Sequence, residues 1–134
     1  MGWDGEVTEY LSPGVSLPAV GQGALGIEAR QEDLFIKEVL SHLDHPPTRM
    51  AVAAERAMLA RLEGGCQVPI AGHAIIEGST LFLEGLIASV NGQRLIRDNV
   101  RGSIQEADGL GVQLAERLLS VGGQAILNEL YGRT

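Results

Sequence analysis

The strongest constraint on the fold is the Asn91-Gly92 pair, which lies between two strand-like stretches, residues 80–89 and 94–101. Asn-Gly favours a type I′ turn, because both central residues of that turn need a positive φ, and such turns connect antiparallel neighbours. A third strand-like stretch, residues 68–77, comes just before them. The sequence therefore predicts three antiparallel strands joined in chain order.

Helical patterns flank these strands. Residues 48–62 carry apolar side chains at three- and four-residue spacing, with Thr48 as a candidate N-cap and Gly64 as a C-terminal stop. Ser103 and Glu106 have the spacing of a capping box, which opens a second helix that Gly122-Gly123 interrupts. The apolar positions are Ala51, Ala54, Met58, Leu59 and Leu62 in the first helix, and Leu110, Val112, Leu114, Ala115, Leu118 and Leu119 in the second. The order predicts an α+β fold in which the helices cover one face of the sheet.

The first third of the chain is less regular. Residues 1–20 do not form a pattern that could fold alone, residues 24–30 read as a short strand, and a helix follows to about residue 42. Glu32 and Asp33 suit its first turn, where acidic side chains meet the positive end of the helix dipole. Residues 44–47, Asp-His-Pro-Pro, end this helix and read as a linker.

Charge and composition exclude several function classes. The net charge of −7 argues against a nucleic-acid partner, because phosphate binding needs a surplus of Lys and Arg. A single cysteine cannot form an internal disulfide, so a reducing, cytoplasmic setting is expected. The sequence has neither an apolar run long enough for a membrane span nor an N-terminus resembling a signal peptide.

The lone thiol, Cys66, follows Gly64-Gly65 just after a helical pattern and just before a strand. Free cysteines are usually buried in apolar stretches, whereas a glycine-built loop suits an attachment point or a nucleophile. A small, half-buried side chain without chemistry is the alternative. A zinc site built with His42, His45 and His73 is not favoured, because close cysteine pairs are absent from the sequence, and a Cys66–His73 catalytic pair lacks a geometric basis.

Residues 21–26 match the G-x-G-x-x-G fingerprint of dinucleotide-binding proteins. That fingerprint works only where its third glycine opens a helix, and the residues after Gly26 are strand-like. We therefore interpret the glycines as a flexible hinge or as a close approach of the backbone to a ligand. The helix–three strands–helix order also resembles double-stranded-RNA-binding modules, but the acidic charge disfavours that function. A non-enzymatic α+β interaction or nucleic-acid-binding module with an incidental cysteine is the alternative to an enzyme.

Two segments together resemble the porphobilinogen deaminase family, whose members are also called hydroxymethylbilane synthases. The first is LPAVGQGALGIEAR, residues 17–30, and the second runs from Ala-Glu-Arg at residues 54–56 through RLEGGCQVPI at residues 61–70. The resemblance covers essentially the whole chain. It implies a transferase of porphyrin and haem biosynthesis, which condenses four porphobilinogen units into the linear tetrapyrrole hydroxymethylbilane and releases ammonia.

The resemblance also implies a domain organisation and a cofactor. Residues 1–23 would be a remnant of a second domain with a hinge, residues 24–43 a strand and helix of an α/β first domain, and residues 44–134 the C-terminal domain. A dipyrromethane cofactor would be held by a thioether to Cys66. Gly65, Gln22, Gly23 and Arg30 would lie near it, with Arg30 as a carboxylate partner, and no metal is expected.

What the chain lacks follows from the same resemblance. The catalytic aspartate and most substrate-binding arginines of the family belong to the first two domains, so no catalytic residue is expected here. Pyrrole carboxylates need arginine clamps, which a chain of charge −7 cannot supply alone. The chain by itself is expected to be inactive, with the N-terminal domains and oligopyrrole intermediates as its partners in an enzyme that is a monomer.

Overall fold

A computed structural model describes residues 2, 4–62 and 69–132 of the chain. Within them a three-stranded antiparallel sheet has the order β1 (Ile70–Glu77), β2 (Thr80–Ala88), β3 (Leu95–Ser103). The helices are α1 (Leu34–Ser41), α2 (Pro46–Arg61), α3 (Ala107–Leu118) and α4 (Gln124–Leu130). The predicted α+β architecture is confirmed, including the three consecutive strands and the helices on either side of them in sequence.

The core lies between one face of the sheet and helices α2 and α3. Alternate residues of β2, Leu81, Leu83 and Ile87, are fully buried on this face, as the two-residue period of a strand requires. From the helices, Met58 and Leu114 pack against them with no exposed area. The two helices also contact each other closely at Gly111, where a Cβ would lie 2.8 Å from the backbone nitrogen of Met58.

Two facing glycines shape the middle of the core. Gly72 of β1 pairs with Gly85 of β2, and a Cβ on either residue would lie 2.5 Å from the end of the Met58 side chain. The missing side chains leave the space that Met58 fills, so α2 sits close to the sheet at this point. Helix α2 is thereby fixed against both β1 and β2.

The hairpin between β2 and β3 is confirmed, but its turn differs from the predicted two-residue type I′ turn. Ser89 and Arg94 close a four-residue loop, with the Ser89 amide donating to the Arg94 carbonyl at 2.9 Å. The side-chain oxygen of Asn91 accepts from the amide of Gln93 at 3.1 Å, and Ser89 Oγ accepts from the Arg94 amide at 2.9 Å. Because side chains satisfy these loop amides, the wider loop is stable. Gly92, the one glycine of the loop, adopts a positive φ of 69°.

Two helix boundaries differ from the prediction for reasons of capping. Helix α2 begins at Pro46 rather than after Thr48, and its N-cap is His45, whose Nδ1 accepts from the Thr48 amide at 3.4 Å. Proline suits the first helical positions because it has a preset φ and no amide that needs a partner there. Ser103 likewise first opens a 3₁₀ turn, Ile104–Glu106, and α3 follows it.

The predicted strand at residues 24–30 is wrong. These residues have no regular structure, and nearly all of them are exposed. A strand needs a neighbour for its backbone groups, and residues 24–30 pair with none of the described strands. Helix α1 does form, with Asp33 as its N-cap, but none of its residues is buried.

Candidate functional site

Residues 63–68, which include Gly65 and Cys66, lie outside the described residues. The structure therefore describes only the residues on either side of the predicted cofactor anchor, which we call its frame. The frame begins at Leu62, which follows α2 and is 1% exposed. It resumes at Pro69, whose carbonyl accepts from the amide of Ala88 at 2.9 Å, next to the end of β2. Both ends of the segment are therefore tied to the core of the domain.

The neighbouring helices are tied together beside this frame. Arg61 Nε at the end of α2 donates to Glu116 Oε1 of α3 at 2.7 Å. Both side chains are largely exposed, so the ion pair adds at most about 1 kcal/mol to stability. The pair also shows that Arg61 is already engaged with a carboxylate of the same domain.

Gln22 and Gly23 lie in a turn that precedes α1. The Gln22 amide donates to the Ala19 carbonyl at 3.1 Å, and the Gln22 Oε1 accepts from the Ala19 amide at 3.1 Å. Gln22 therefore closes its own turn, although the side chain remains exposed. Gly23 is exposed as well, and a Cβ placed on it would meet no atom within 4 Å. The surface around Gly23 thus has room for a bulky neighbour.

Arg30 is exposed, and its guanidinium forms no hydrogen bond or ion pair with any residue that the structure describes. Among the described residues, no hydrogen bond joins Arg30 to Gln22. Its charge is available to an anionic ligand, but nothing in the described chain fixes its direction.

A groove of about 440 Å³ opens between the glycine-rich turn, α1 and α2. Apolar side chains such as Leu25, Leu43 and Val52 line it together with Arg49 and Arg56. Arg49 pairs with Asp44 at 3.3 Å, whereas Arg56 has no ion-pair partner within the described residues. The groove therefore combines apolar surface with a positive charge that lacks a partner in this part of the chain.

Glu55 is the functional candidate that the sequence analysis missed. This α2 residue is only 5% exposed, and each of its carboxylate oxygens accepts one backbone amide: Oε2 from Gly21 at 2.7 Å, and Oε1 from Ala74 at 2.8 Å. The signal was present, since a charged residue stands among the inward-facing positions Ala51, Met58 and Leu62 of the helical pattern. A buried carboxylate in such a stripe indicates a fixed partner.

Arg97 holds a second part of the N-terminal stretch against the sheet. Its Nε donates to Glu84 Oε1 at 2.7 Å, and its terminal nitrogens donate to the carbonyls of Gly14 and Pro13 at 2.9 and 3.1 Å. The hydrogen bond to Glu84, aided by the charge of that carboxylate, raises the pKa of Arg97 above its ordinary value. Arg97 thus stays charged while it binds the backbone of residues 13–14.

The histidines have separate places. His45 caps α2, His42 Nδ1 lies 3.1 Å from the Glu38 carbonyl, and His73 Nδ1 lies 3.9 Å from Glu55 Oε1. The described residues contain no group of three His, Cys, Asp or Glu side chains that could hold a metal ion. Within the same residues, no helix is long and apolar enough to cross a membrane.

Comparison with known families accounts for most of the chain. Residues 49–120 match the family model described as "Porphobilinogen deaminase, C-terminal domain", which spans more than half of the chain. Residues 1–38 match the model described as "Porphobilinogen deaminase, dipyromethane cofactor binding domain". The chain belongs to the porphobilinogen deaminase family. The alternative of a non-enzymatic or nucleic-acid-binding module has no support from these matches.

Individual relatives agree with the family models. The chain is 53% identical over 133 residues to a porphobilinogen deaminase of Trichlorobacter lovleyi, covering 99% of this chain and 43% of that protein. It is 51% identical to one of Geobacter metallireducens, with 99% and 42% covered, and 46% identical to one of Carboxydothermus hydrogenoformans, with 97% and 42% covered. The chain thus spans about two fifths of the length of these relatives.

The two family models match successive parts of the chain: the first match ends within α1, and the second begins within α2. The C-terminal match, residues 49–120, covers most of α2, the whole sheet and α3. The cofactor-binding match, residues 1–38, covers the glycine-rich turn and much of α1. Cys66 therefore belongs to one match, and Gln22, Gly23 and Arg30 belong to the other.

Proposed function

We propose that this chain is the C-terminal part of a hydroxymethylbilane synthase, the transferase that joins four porphobilinogen units and releases ammonia. The observation that carries the proposal is the identity of about half of all positions to porphobilinogen deaminases across 99% of the chain. The succession of a cofactor-binding match and a C-terminal match in one chain supports the same assignment.

In this proposal, the thiol of Cys66 supplies the sulfur of a thioether to a dipyrromethane cofactor. The fixed ends of its segment, at Leu62 and Pro69, would hold such an anchor at a defined place on the domain. When bound, the dipyrromethane serves as the primer to which porphobilinogen units are added. Gly65 has no side chain and would leave room for the cofactor next to Cys66.

The N-terminal stretch contributes the other cofactor contacts that we propose. Gly23 has open space around it, and the neighbouring Gln22 has an exposed side-chain carboxamide. Arg30 offers a guanidinium without a partner in the described chain, and guanidinium groups bind carboxylates such as those of pyrrole side chains in a bidentate manner. We propose that these three residues contact the cofactor.

The domain organisation is proposed on the same basis: residues 1–23 are a remnant of the second domain with a hinge, residues 24–43 belong to the first domain, and residues 44–134 form the third. Exposed apolar side chains in the middle stretch support this division, because Leu25, Leu34 and Phe35 are 99%, 77% and 72% exposed. Surface of this kind usually meets another part of the protein. The N-terminal domains would cover it.

We also propose that the 134 residues alone are inactive, and that the complete enzyme is a cytoplasmic monomer. The net charge of −7 leaves too few cations to neutralise a growing chain of pyrrole carboxylates, so the N-terminal domains must supply most of the arginines. No metal is required by the residues that we assign to the site.

A chimera tests the proposal. The 134 residues replace the matching C-terminal part of the Trichlorobacter lovleyi porphobilinogen deaminase, and hydroxymethylbilane formation from porphobilinogen is measured. We expect product from the chimera and none from the 134 residues alone. A folded chimera that forms no product would contradict the assignment, and turnover by the 134 residues alone would contradict their proposed inactivity.

A further inference from the structure

A short strap, residues 18–21, runs along the free edge of β1. The Gly72 amide at this edge donates to the Pro18 carbonyl at 3.0 Å, and the Gly21 amide donates to Glu55 Oε2 at 2.7 Å. Between these two bonds, Val20 packs against the core. The strap therefore covers a sheet edge whose backbone groups would otherwise be open to pairing.

Glu55 joins the strap to the rest of the domain. Its second oxygen accepts the Ala74 amide at 2.8 Å, so the one carboxylate connects α2, β1 and the strap. Hydrogen bonds to an ionised carboxylate are stronger than those between neutral groups, and a buried carboxylate is costly unless both oxygens are satisfied. Glu55 is 5% exposed and both of its oxygens are occupied, so the arrangement is complete.

The two amides that Glu55 accepts differ in how firmly they are held. Ala74 lies in the ladder of β1 and β2, opposite Leu83, and cannot move away without breaking strand pairs. Gly21 lies in a turn with a φ of 68° and depends on Glu55 for its amide partner. Loss of one carboxylate oxygen should therefore release the strap and leave the strand in place.

We propose that Glu55 is a positioning residue, which fixes the strap to the C-terminal domain and so sets where the turn at residues 21–23 leaves that domain. Together with the hold of Arg97 on residues 13–14, this keeps residues 13–21, the end of the stretch that we assign to the second domain, in contact with the C-terminal domain. The hinge that we propose at the end of residues 1–23 would then start from a fixed point at Gly21. We call the attachment of the strap through Glu55 the lock. The consequence for turnover rests on the proposed function, whereas the lock itself does not.

The first test uses the 134-residue chain and the variant Glu55→Gln. Glutamine offers one acceptor oxygen where glutamate offers two, with nearly the same size, so it can satisfy only one of the two amides. We expect hydrogen exchange at Gly21 to rise at least about tenfold, the effect of losing about 1.4 kcal/mol of local protection. Exchange at Leu83, in the central strand, should change by less than about twofold.

Glu116→Gln is the matched control, because it removes a helix carboxylate whose only partner among the described residues is the exposed Arg61. It should leave exchange at Gly21 unchanged. Unchanged exchange at Gly21 in Glu55→Gln would overturn the proposal. An equal rise at Gly21 and Leu83 would also overturn it, because Glu55 would then stabilise the whole domain without holding the strap.

The second test puts Glu55→Gln into the active chimera. A displaced strap should lower kcat by about tenfold or more while the cofactor still loads, because small misplacements near a site cost large factors in rate. Unchanged kcat and KM, with exchange at Gly21 raised, would confine the lock to a structural role and overturn its consequence for turnover. An inactive parent chimera would count against the proposed function, and the exchange result would still decide the lock.

Discussion

Gly111 is the position where a single added methyl group should do most harm to the fold. Helices α2 and α3 cross here so closely that a Cβ on Gly111 would overlap the carbonyl oxygen of Ala54. The same atom would lie 2.8 Å from the Cβ of Ala57 and from the backbone nitrogen of Met58. Ordinary contact needs about 3.5 Å, so relieving the 2.8 Å contacts alone would separate the helices by about 0.7 Å, and the overlap with the Ala54 oxygen would require more. Backbone atoms cannot rotate away as a side chain can.

The expected cost of Gly111→Ala follows from two opposing effects. Overpacking of a close-packed core costs about 1–3 kcal/mol, and the clash with backbone places this site at the upper end. Alanine regains up to about 1 kcal/mol through its higher helix propensity. We therefore expect a net loss of about 2 kcal/mol in the free energy of unfolding, or roughly 6–10 °C in Tm for a domain of this size.

Gly109→Ala is the control within the same helix. A Cβ on Gly109 would meet no atom within 4 Å, so this variant should gain up to about 1 kcal/mol. Urea unfolding followed by circular dichroism measures both variants. Equal stability gains in Gly111→Ala and Gly109→Ala would refute the close approach of α2 and α3.

Two further predictions concern the sheet. Met58→Ala should lower the free energy of unfolding by about 2–5 kcal/mol, because Met58 fills the space over a pair of glycines. Gly72→Ala in the same chain should recover part of the loss, since without Met58 its Cβ would meet no atom closer than Val20 at 3.3 Å; urea unfolding that shows no recovery would contradict this packing. Arg97→Gln should raise hydrogen exchange at residues 14–16, because the carbonyls of residues 13–14 lose their charged donor. Arg101→Gln on the same strand should have no effect, and an equal response of the two variants would contradict the role of Arg97.

The strands and the hairpin were predictable because their signals are local. Alternating apolar residues and the Asn91-Gly92 pair act over a few positions, and they fixed the order of β1, β2 and β3. The turn geometry was not predictable in the same way, since it depends on the side chain of Ser89 bonding across the loop. The start of α2 was missed because Pro46 was interpreted as the end of a helix, although proline is equally suited to open one.

The strand predicted at residues 24–30 shows a limit of pattern reading. An apolar stretch forms a strand only where it pairs with a neighbour, and residues 24–30 pair with none of the described strands. Glu55 shows the opposite case. Its sequence position revealed a charge within an apolar stripe, but its partners, Gly21 and Ala74, lie 34 and 19 residues away and required the fold.

The site predictions remain predictions that depend on a resemblance. Cys66 and Gly65 lie outside the described residues, and Gln22, Gly23 and Arg30 are exposed. What the structure adds is the firm hold on Leu62 and Pro69 on either side of the cysteine segment. The sequence could indicate the anchor, whereas the frame around it needed three-dimensional packing.

The central claim is that Cys66 carries the cofactor, and a mass measurement on the purified chimera tests it most directly. Trypsin cleaves after arginine and lysine, so the peptide of residues 62–94 contains Cys66 and no internal cleavage site. We expect this peptide to carry the added mass of one dipyrromethane, and the chimera with Cys66→Ser to lack both the added mass and the activity. An unmodified peptide in an active chimera would contradict the account, as would a dipyrromethane attached elsewhere.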